Sequence, residues 1–387
     1  MIPQKLKTNF RLIAIRDRLG FSGPAYSDEK HLETTVAWLK RAQDATSDGG
    51  VSAGYYDYCG WETSYPETTG YIIPTMFDYS HFAHDDDCLK RALRMGDFLM
   101  NSQLTDGSFL LGFVGAPHDP DVFDTGQCIQ GLTRCYRETK RDEYLLSAIK
   151  AADWIVAAQD KDGSWRKYSF NGIPHTYYTR VAFPLLDLHS ITEDRKYQVA
   201  AVKNVEWAVA NCNEAGWYEN CAFDTKSMPH PNSHVIAYTA EGILKCGIML
   251  DNNNFIRTAT KTMSNLLRKF NTEGRIRGTY NKKWESADKY SCLTGDAQIA
   301  AIWLNLFELT EDRAYYLAAD MLSHYIKPTQ FLKHSNKGIE GGIKGSQPIY
   351  GDYNPNSFPS WAAKFFIDLL LLRATVHDSH SGFATDA

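Results

Sequence analysis

The sequence predicts an all-α protein, an (α/α)6 toroid in which six helical hairpins form an inner and an outer layer around a central pocket. Two observations support this prediction. A phrase of an apolar helical face, a polar residue, Gly and an apolar residue recurs six times, at a spacing of roughly 55 to 60 residues, the length of a two-helix unit. A second phrase with Thr, acidic residues and Tyr lies about half a period away.

The first phrase is clearest over residues 152–165. Its apolar helical face ends at Gln159, and Asp162, Gly163 and Trp165 follow. Similar copies cover residues 38–51 and 98–109, and weaker copies end near Gly216, Gly274 and Gly341. Each copy therefore predicts the end of one helix and the start of a connecting loop.

The second phrase marks turns between paired helices. It is found at Thr192 to Tyr197 and at Thr310 to Tyr315, where Thr or Asp precedes an amphipathic run and can act as an N-cap. The helices after these turns have one apolar face, as expected for an outer layer. The helices before them are apolar on more sides and are predicted to begin near Glu67, Asp124, Tyr178, His234, Gly295 and Trp361.

Two-helix units must stack, because one unit cannot bury its apolar faces alone. An open superhelix is the alternative to a closed ring. Closure is favoured because residues 49–55 of the first unit resemble residues 341–346 of the last. We expect one toroid domain over residues 30–374, an N-terminal extension over 1–29 and a polar C-terminal tail over 375–387.

Composition excludes several classes of protein. The net charge is −5, and no run of Lys and Arg resembles a nucleic-acid surface, so no nucleic-acid partner is expected. No apolar stretch is long enough for a signal peptide or a transmembrane helix, which predicts a cytoplasmic location. The eight cysteines form no C-x-x-C pair and are expected to be reduced. No metal or cofactor is predicted, and the oligomeric state is left open.

The phrase over residues 152–165 resembles the Gln-Trp repeat of terpenoid cyclases and protein prenyltransferases, which are α/α toroids. This resemblance implies the fold. Residues 121–125, Asp-Val-Phe-Asp-Thr, resemble the Asp-x-Asp-Asp-Thr motif of class II cyclases, but Phe123 stands where that family has its proton donor. An isoprenoid cyclase or prenyltransferase is therefore an alternative rather than the main hypothesis.

Three segments, residues 60–71, 123–127 and 358–366, together resemble a bacterial and archaeal α/α-toroid family that occurs with surface-polysaccharide biosynthesis proteins. This resemblance implies a carbohydrate substrate and implies no particular reaction. The main hypothesis is thus an enzyme of surface-glycan metabolism that acts on a polysaccharide or a lipid-linked oligosaccharide containing acidic sugars, by hydrolysis, elimination or epimerisation. A non-catalytic glycan-binding protein is a further alternative, since a fold alone does not give an activity.

Candidate site residues lie where loops enter the inner helices, because these loops converge on one mouth of a ring. Glu67 and Asp124 are the first choice for acid and base, although helix capping is an alternative role for both. The predicted catalytic residues are Glu67, Asp124, Tyr178, His234 and Asp296. The predicted substrate-binding residues are Trp61, Tyr65, Tyr71, His175, Arg180, Tyr238, Glu340 and Trp361.

Three reactions remain open at such a site. Two carboxylates facing one pocket suit glycoside hydrolysis. A Tyr or His, with Arg180 neutralising a uronate, suits elimination or epimerisation beside a carboxylate. For a catalytic protein we expect at least two of five carboxylates to project into one pocket: Glu67, Asp124, Glu241, Asp296 and Glu340.

Overall fold

The computed structural model describes residues 4–116, 119–224 and 228–379. Most of these residues are helical. The α-helices are α1 (Gln4–Arg18), α2 (Asp28–Asp44), α3 (Pro66–Ala83), α4 (Asp86–Ser102), α5 (Val122–Thr139), α6 (Asp142–Ala158), α7 (Thr179–Thr192), α8 (Arg195–Ala210), α9 (Ser233–Met249), α10 (Asn253–Glu273), α11 (Leu293–Thr310), α12 (Arg313–Ile326) and α13 (Ser360–Ser379). The strands are β1 (Gly54–Tyr56), β2 (Gly60–Trp61), β3 (Ser291–Cys292), β4 (Ser346–Gln347) and β5 (Ser357–Pro359).

Six inner helices form a closed ring. Helices α3, α5, α7, α9, α11 and α13 each pack on the next, and α13 also packs on α3. Helices α4, α6, α8, α10 and α12 pack outside the inner helix that precedes each of them, and α2 packs outside α13. The all-α toroid of six hairpins is therefore confirmed, with the sixth hairpin formed by helices that are distant in sequence.

The two layers differ in burial, as the apolar patterns predict. In the inner helix α3, 13 of 18 residues are buried. In its outer partner α4, only 6 of 17 are buried, and they form one face. The polar residues at the starts of the inner helices are thus exceptions within a largely apolar layer, and they mark one end of the ring.

The recurring Gln has a structural role that explains the repeat. Gln159 Nε2 donates to the carbonyl oxygen of Gly163 at 3.1 Å and to that of Ala200, in the next outer helix, at 2.9 Å. Gln103 makes the equivalent pair of bonds one unit earlier. Gly163 has φ +89°, and a Cβ there would lie 2.3 Å from the carbonyl oxygen of Lys203. These copies therefore fasten one outer helix to the next, and at Gly163 only glycine fits the contact.

The second repeated phrase forms the hairpin turns. Glu193 and Glu311 end inner helices in the left-handed conformation, both with φ +58°. Asp194 Oδ1 then accepts the Lys196 N–H at 3.1 Å and caps α8. The phrase thus reverses the chain within a few residues, so that consecutive helices lie antiparallel.

Helix α1, which belongs to the predicted N-terminal extension, packs against the toroid. Its side chains Leu6, Phe10 and Ile13 are buried. Asp17 forms an ion pair with Lys344 at 2.8 Å, and both side chains are almost fully buried. Of the predicted C-terminal tail, residues 375–379 belong to α13, and residues 380–387 lie outside the described residues. No helix in the described part of the chain is both long enough and apolar enough to span a bilayer.

Candidate active site

A cavity of about 490 Å³ opens at the N-terminal ends of the inner helices. The starts of α3, α5, α9 and α13 contribute to its wall, together with the turn before α7. Its lining is mainly aromatic, with carboxyl groups grouped on one side. The lining residues are Tyr65, Glu67, Tyr71, Leu111, Phe113, Asp121, Phe123, Asp124, Phe170, Tyr177, Tyr178, Phe223, Met228, His234, Tyr238, Tyr353, Asn354 and Trp361.

Three carboxyl groups, Glu67, Asp121 and Asp124, meet in this cavity. Glu67 lies in the first turn of α3, and Asp124 in the first turn of α5. Asp121 is the N-cap of α5, and its Oδ1 accepts the N–H groups of Phe123 at 2.7 Å and of Asp124 at 3.1 Å. Asp124 Oδ2 accepts the Gly112 N–H at 2.9 Å. Backbone donors therefore orient two of the three carboxyl groups.

All three carboxyl groups have raised pKa values. Burial raises the pKa of Glu67 to about 7, and the negative charge of Asp121 also raises it. Hydrogen bonds from Tyr65 and Tyr71 and the positive charge of Arg180 lower it and so limit the rise. Burial also raises the pKa of Asp121 to about 7. The pKa of Asp124 lies well above its usual range, because of burial and then the charges of Glu67 and Asp121. The cluster therefore retains protons near neutral pH.

Tyr65 and Tyr71 surround Glu67. The Tyr65 hydroxyl interacts with both Glu67 and Asp124, and its ring packs at 5.4 Å from that of Phe113. The Tyr71 hydroxyl interacts with Glu67 and with the hydroxyl of Tyr238. These phenols donate to the ionised form of Glu67 and so favour a carboxylate there over a second neutral acid.

His234 faces the carboxyl groups from α9. Its Nδ1 lies 2.6 Å from Gln298 Oε1, and an amide oxygen only accepts, so Nδ1 carries the hydrogen. Burial lowers the pKa of His234 to about 3, which keeps the imidazole neutral with its lone pair on Nε2. Its ring centre lies 4.1 Å from that of Tyr238. The site therefore contains a neutral imidazole of defined tautomer.

Aromatic rings complete the wall. The ring of Phe123 lies 5.4 to 5.5 Å from the rings of Tyr177, Tyr178 and Tyr238. The Tyr178 hydroxyl accepts the Phe170 N–H at 3.0 Å and also interacts with Asp121. Such faces with polar edges suit the stacking and hydrogen bonding of sugar rings.

The cavity brings together eight of the thirteen predicted site residues. Four were predicted to be catalytic, namely Glu67, Asp124, Tyr178 and His234, and four to bind substrate, namely Tyr65, Tyr71, Tyr238 and Trp361. Asp121, Phe123 and Phe223 were not among the predicted site residues. Asp121 lies in a loop that enters an inner helix, the location at which site residues were expected, and its N-cap position before Phe123 is a further signal.

Two predicted residues lie in the wall behind the cavity. Arg180 is fully buried, with its NH1 2.7 Å from Glu241 Oε2 and its guanidinium 4.9 Å from the ring of Tyr238. Its charge is thus paired within the protein, and its side chain does not line the cavity. His175 is buried, stacks on Tyr177 at 4.6 Å and binds a backbone carbonyl through Nε2, so it supports the wall.

Three predicted residues lie elsewhere. Asp296 is buried without a hydrogen-bond partner among the described residues, within electrostatic reach of Tyr280 and Tyr325. Trp61 lies in a separate surface groove, 5.1 Å from the ring of Trp38. Glu340 accepts the His334 N–H at 2.9 Å and pairs with Lys337. None of these three side chains lines the aromatic cavity.

A second cavity of about 460 Å³ lies at the opposite end of the ring. Glu241, Lys245, Gln298 and Phe365 are among its lining residues. Gln298 therefore lies between this cavity and His234. No group of three or more His, Cys, Asp or Glu side chains able to hold a metal ion occurs among the described residues.

No protein-family model and no curated protein matches the chain. Several solved structures match its fold. A cellobiose 2-epimerase from Bacillus thermoamylovorans is 14% identical, with a TM-score of 0.71 over 89% of this chain and 97% of that one. An unsaturated glucuronyl hydrolase specific for heparin is 15% identical, with a TM-score of 0.73 over 91% and 98%. A D-mannose isomerase is 13% identical, with a TM-score of 0.69 over 90% and 97%. The chain therefore shares the toroid fold of these sugar-processing enzymes.

Proposed function

We propose that this protein is a carbohydrate-active enzyme that hydrolyses a glycosidic bond of a polysaccharide or lipid-linked oligosaccharide in the aromatic cavity. The observation that carries the proposal is the meeting of Glu67, Asp121 and Asp124 with raised pKa values. Hydrolysis needs one carboxyl group that is protonated and one that is ionised in the same pocket. The fold shared with sugar-processing enzymes is consistent with such a substrate.

The surroundings suggest a role for each carboxyl group. Asp124 has neighbouring negative charges and a strongly raised pKa, so it serves as the general acid that protonates the glycosidic oxygen as the C–O bond breaks. Glu67 accepts hydrogen bonds from tyrosines and feels the charge of Arg180, so it serves as the carboxylate. It removes a proton from the water that adds to the anomeric carbon. Asp121 mainly holds the start of α5.

A neutral saccharide fits this cavity better than an acidic one. The carboxyl cluster repels a uronate whenever one of its members is ionised. Arg180, the residue expected to neutralise a uronate, is paired with Glu241. We therefore propose that hydroxyl groups and stacking faces of an uncharged sugar are recognised, and that acidic sugars are poorer substrates.

The test is product analysis on a panel of neutral and uronate-containing oligosaccharides. Mass spectrometry and reducing-end release follow cleavage by the wild type, Glu67→Gln, Asp124→Asn and the control Glu206→Gln, an exposed substitution on α8. We expect a loss of about 10²-fold or more in kcat for the two cavity variants and none for the control. Equal rates for all four proteins would remove Glu67 and Asp124 from the mechanism.

Epimerisation is a second candidate, favoured by His234. Its neutral imidazole, held by Gln298, can accept a proton from the carbon beside a sugar carbonyl, and a protonated carboxyl group on the facing side of the cavity can deliver one to the other face. The reaction then incorporates deuterium at that carbon in D₂O without releasing a new reducing end. Deuterium incorporation that is lost in His234→Asn, with no cleavage by the wild type, would select this candidate over hydrolysis.

The other two hypotheses are less well supported. An isoprenoid enzyme needs an almost wholly apolar tunnel, whereas this cavity contains three carboxyl groups and several phenols. A glycan-binding protein needs aromatic rings but no group of carboxyl side chains with displaced pKa values. Binding of an oligosaccharide without any turnover or exchange would favour that last alternative.

A further inference from the structure

Helix α1 presents an apolar stripe to solvent. Leu12, Ile15 and Leu19 follow one another at helical spacing, and Phe21 comes shortly after them. All four side chains are between 55% and 64% exposed. The opposite side of α1 holds the helix on the toroid through buried Phe10 and its neighbours. The stripe is therefore a fixed outer surface of the folded protein.

Basic residues border this stripe. Residues 4–18 contain five Lys and Arg and one Asp, in a chain whose net charge is −5. The single acidic residue, Asp17, is neutralised by Lys344. On a helical projection Lys7, Arg11 and Arg18 lie along one edge of the stripe, and all three are exposed. The charge of α1 is thus opposite in sign to that of the whole molecule.

An exposed apolar stripe with a basic edge has the chemistry of a helix that lies in the surface of an anionic bilayer. Leucine and isoleucine side chains enter the acyl boundary, and long basic side chains reach the phosphate groups. A second copy of the chain fits less well, because two α1 helices packed face to face would bring together two surfaces that both carry a net positive charge.

We propose that α1 and the turn that follows it dock the folded protein on a membrane surface that contains anionic lipid, through Leu12, Ile15, Leu19 and Phe21. This inference does not depend on the chemistry of the cavity. It also places the candidate site near the membrane surface, because α1 contacts a loop that leads to the cavity. Asp17 of α1 accepts the Ile349 N–H at 2.8 Å. The same loop continues to Tyr353, which lines the cavity.

The test is cosedimentation of the full chain with vesicles of phosphatidylcholine, with and without phosphatidylglycerol, at low and high salt. Leu12→Gln/Leu19→Gln is compared with Leu146→Gln/Leu317→Gln, which alters two similarly exposed leucines on α6 and α12. We expect the wild type and the control to bind anionic vesicles, with binding weakened by salt. The α1 variant should bind at least about tenfold more weakly.

Several results would overturn the proposal. They are no binding of the wild type to anionic vesicles, equal binding by the α1 variant, or binding that is independent of phosphatidylglycerol and salt. Light scattering that shows a wild-type dimer, lost in the α1 variant, would instead identify the stripe as a subunit interface. Circular dichroism and thermal unfolding confirm that each variant is folded, so that lost binding reports the surface alone.

Discussion

Replacing Glu67 by Gln should stabilise the protein at alkaline pH. Glu67 is almost fully buried, and its pKa rises from 4.5 to about 7. A group with a raised pKa in the folded state contributes stability that is complete below its unfolded pKa and is lost as pH increases through the folded value. The rise corresponds to about 3 kcal/mol, the penalty that ionised Glu67 imposes on the folded state above pH 7.

Urea denaturation at pH 5 and pH 8 measures this effect. At pH 8 the free energy of unfolding of Glu67→Gln should exceed that of the wild type by up to about 3 kcal/mol, and at pH 5 by less than about 1 kcal/mol. The exposed control Glu206→Gln should change neither value by more than about 0.5 kcal/mol. If Glu67→Gln is destabilised equally at both pH values, Glu67 is a structural carboxylate and our account of the cluster is wrong.

Three further predictions concern the ring itself. Gly70→Ala places a Cβ 2.6 Å from the carbonyl oxygen of Gln127, so we expect thermal unfolding to show that the free energy of unfolding falls by about 1–3 kcal/mol. An unchanged melting temperature would contradict the close packing of α3 on α5. Gln159→Ala removes the two hydrogen bonds from Nε2 to the carbonyl oxygens of Gly163 and Ala200, so we expect urea denaturation to show a loss of roughly 1–3 kcal/mol. The control Gln198→Ala, on α8, removes no such bonds and should cost no more than about 0.5 kcal/mol. Arg180→Met removes a fully buried guanidinium from Glu241, which keeps its ion pair with Lys245 at 2.7 Å, and should cost roughly 1–3 kcal/mol at neutral pH. Near wild-type stability would show that the Arg180–Glu241 pair contributes little to folding.

The fold could be predicted because its repeat has a direct physical cause. Gln159 and Gly163 must be these residue types for one outer helix to be fastened to the next, and the pattern survives in other copies. The starts of the inner helices could be located for the same reason, since turns and caps have local sequence signals. Glu67 and Asp124 followed from that location.

The direction of each side chain could not be predicted in this way. Successive helical residues point about 100° apart, so a shift of one position moves a side chain from the cavity to a neighbouring helix. Asp296 begins an inner helix as Asp124 does, yet it is buried away from the cavity. The partner of Arg180 was equally hidden, because Glu241 lies 61 residues further along the chain.

Because α2 pairs with α13 across almost the whole chain, we expect the cavity to form late in folding. Five hairpins are local in sequence, but the sixth joins α2 and α13, in which the bonded residues Asp28 and Arg373 are 345 residues apart. Trp361 reaches the wall only when α13 docks between α11 and α3. A partly folded chain in which α13 has not yet docked would retain most of its helices but lack an enclosed site. Helix content would therefore recover during refolding before any ligand could bind.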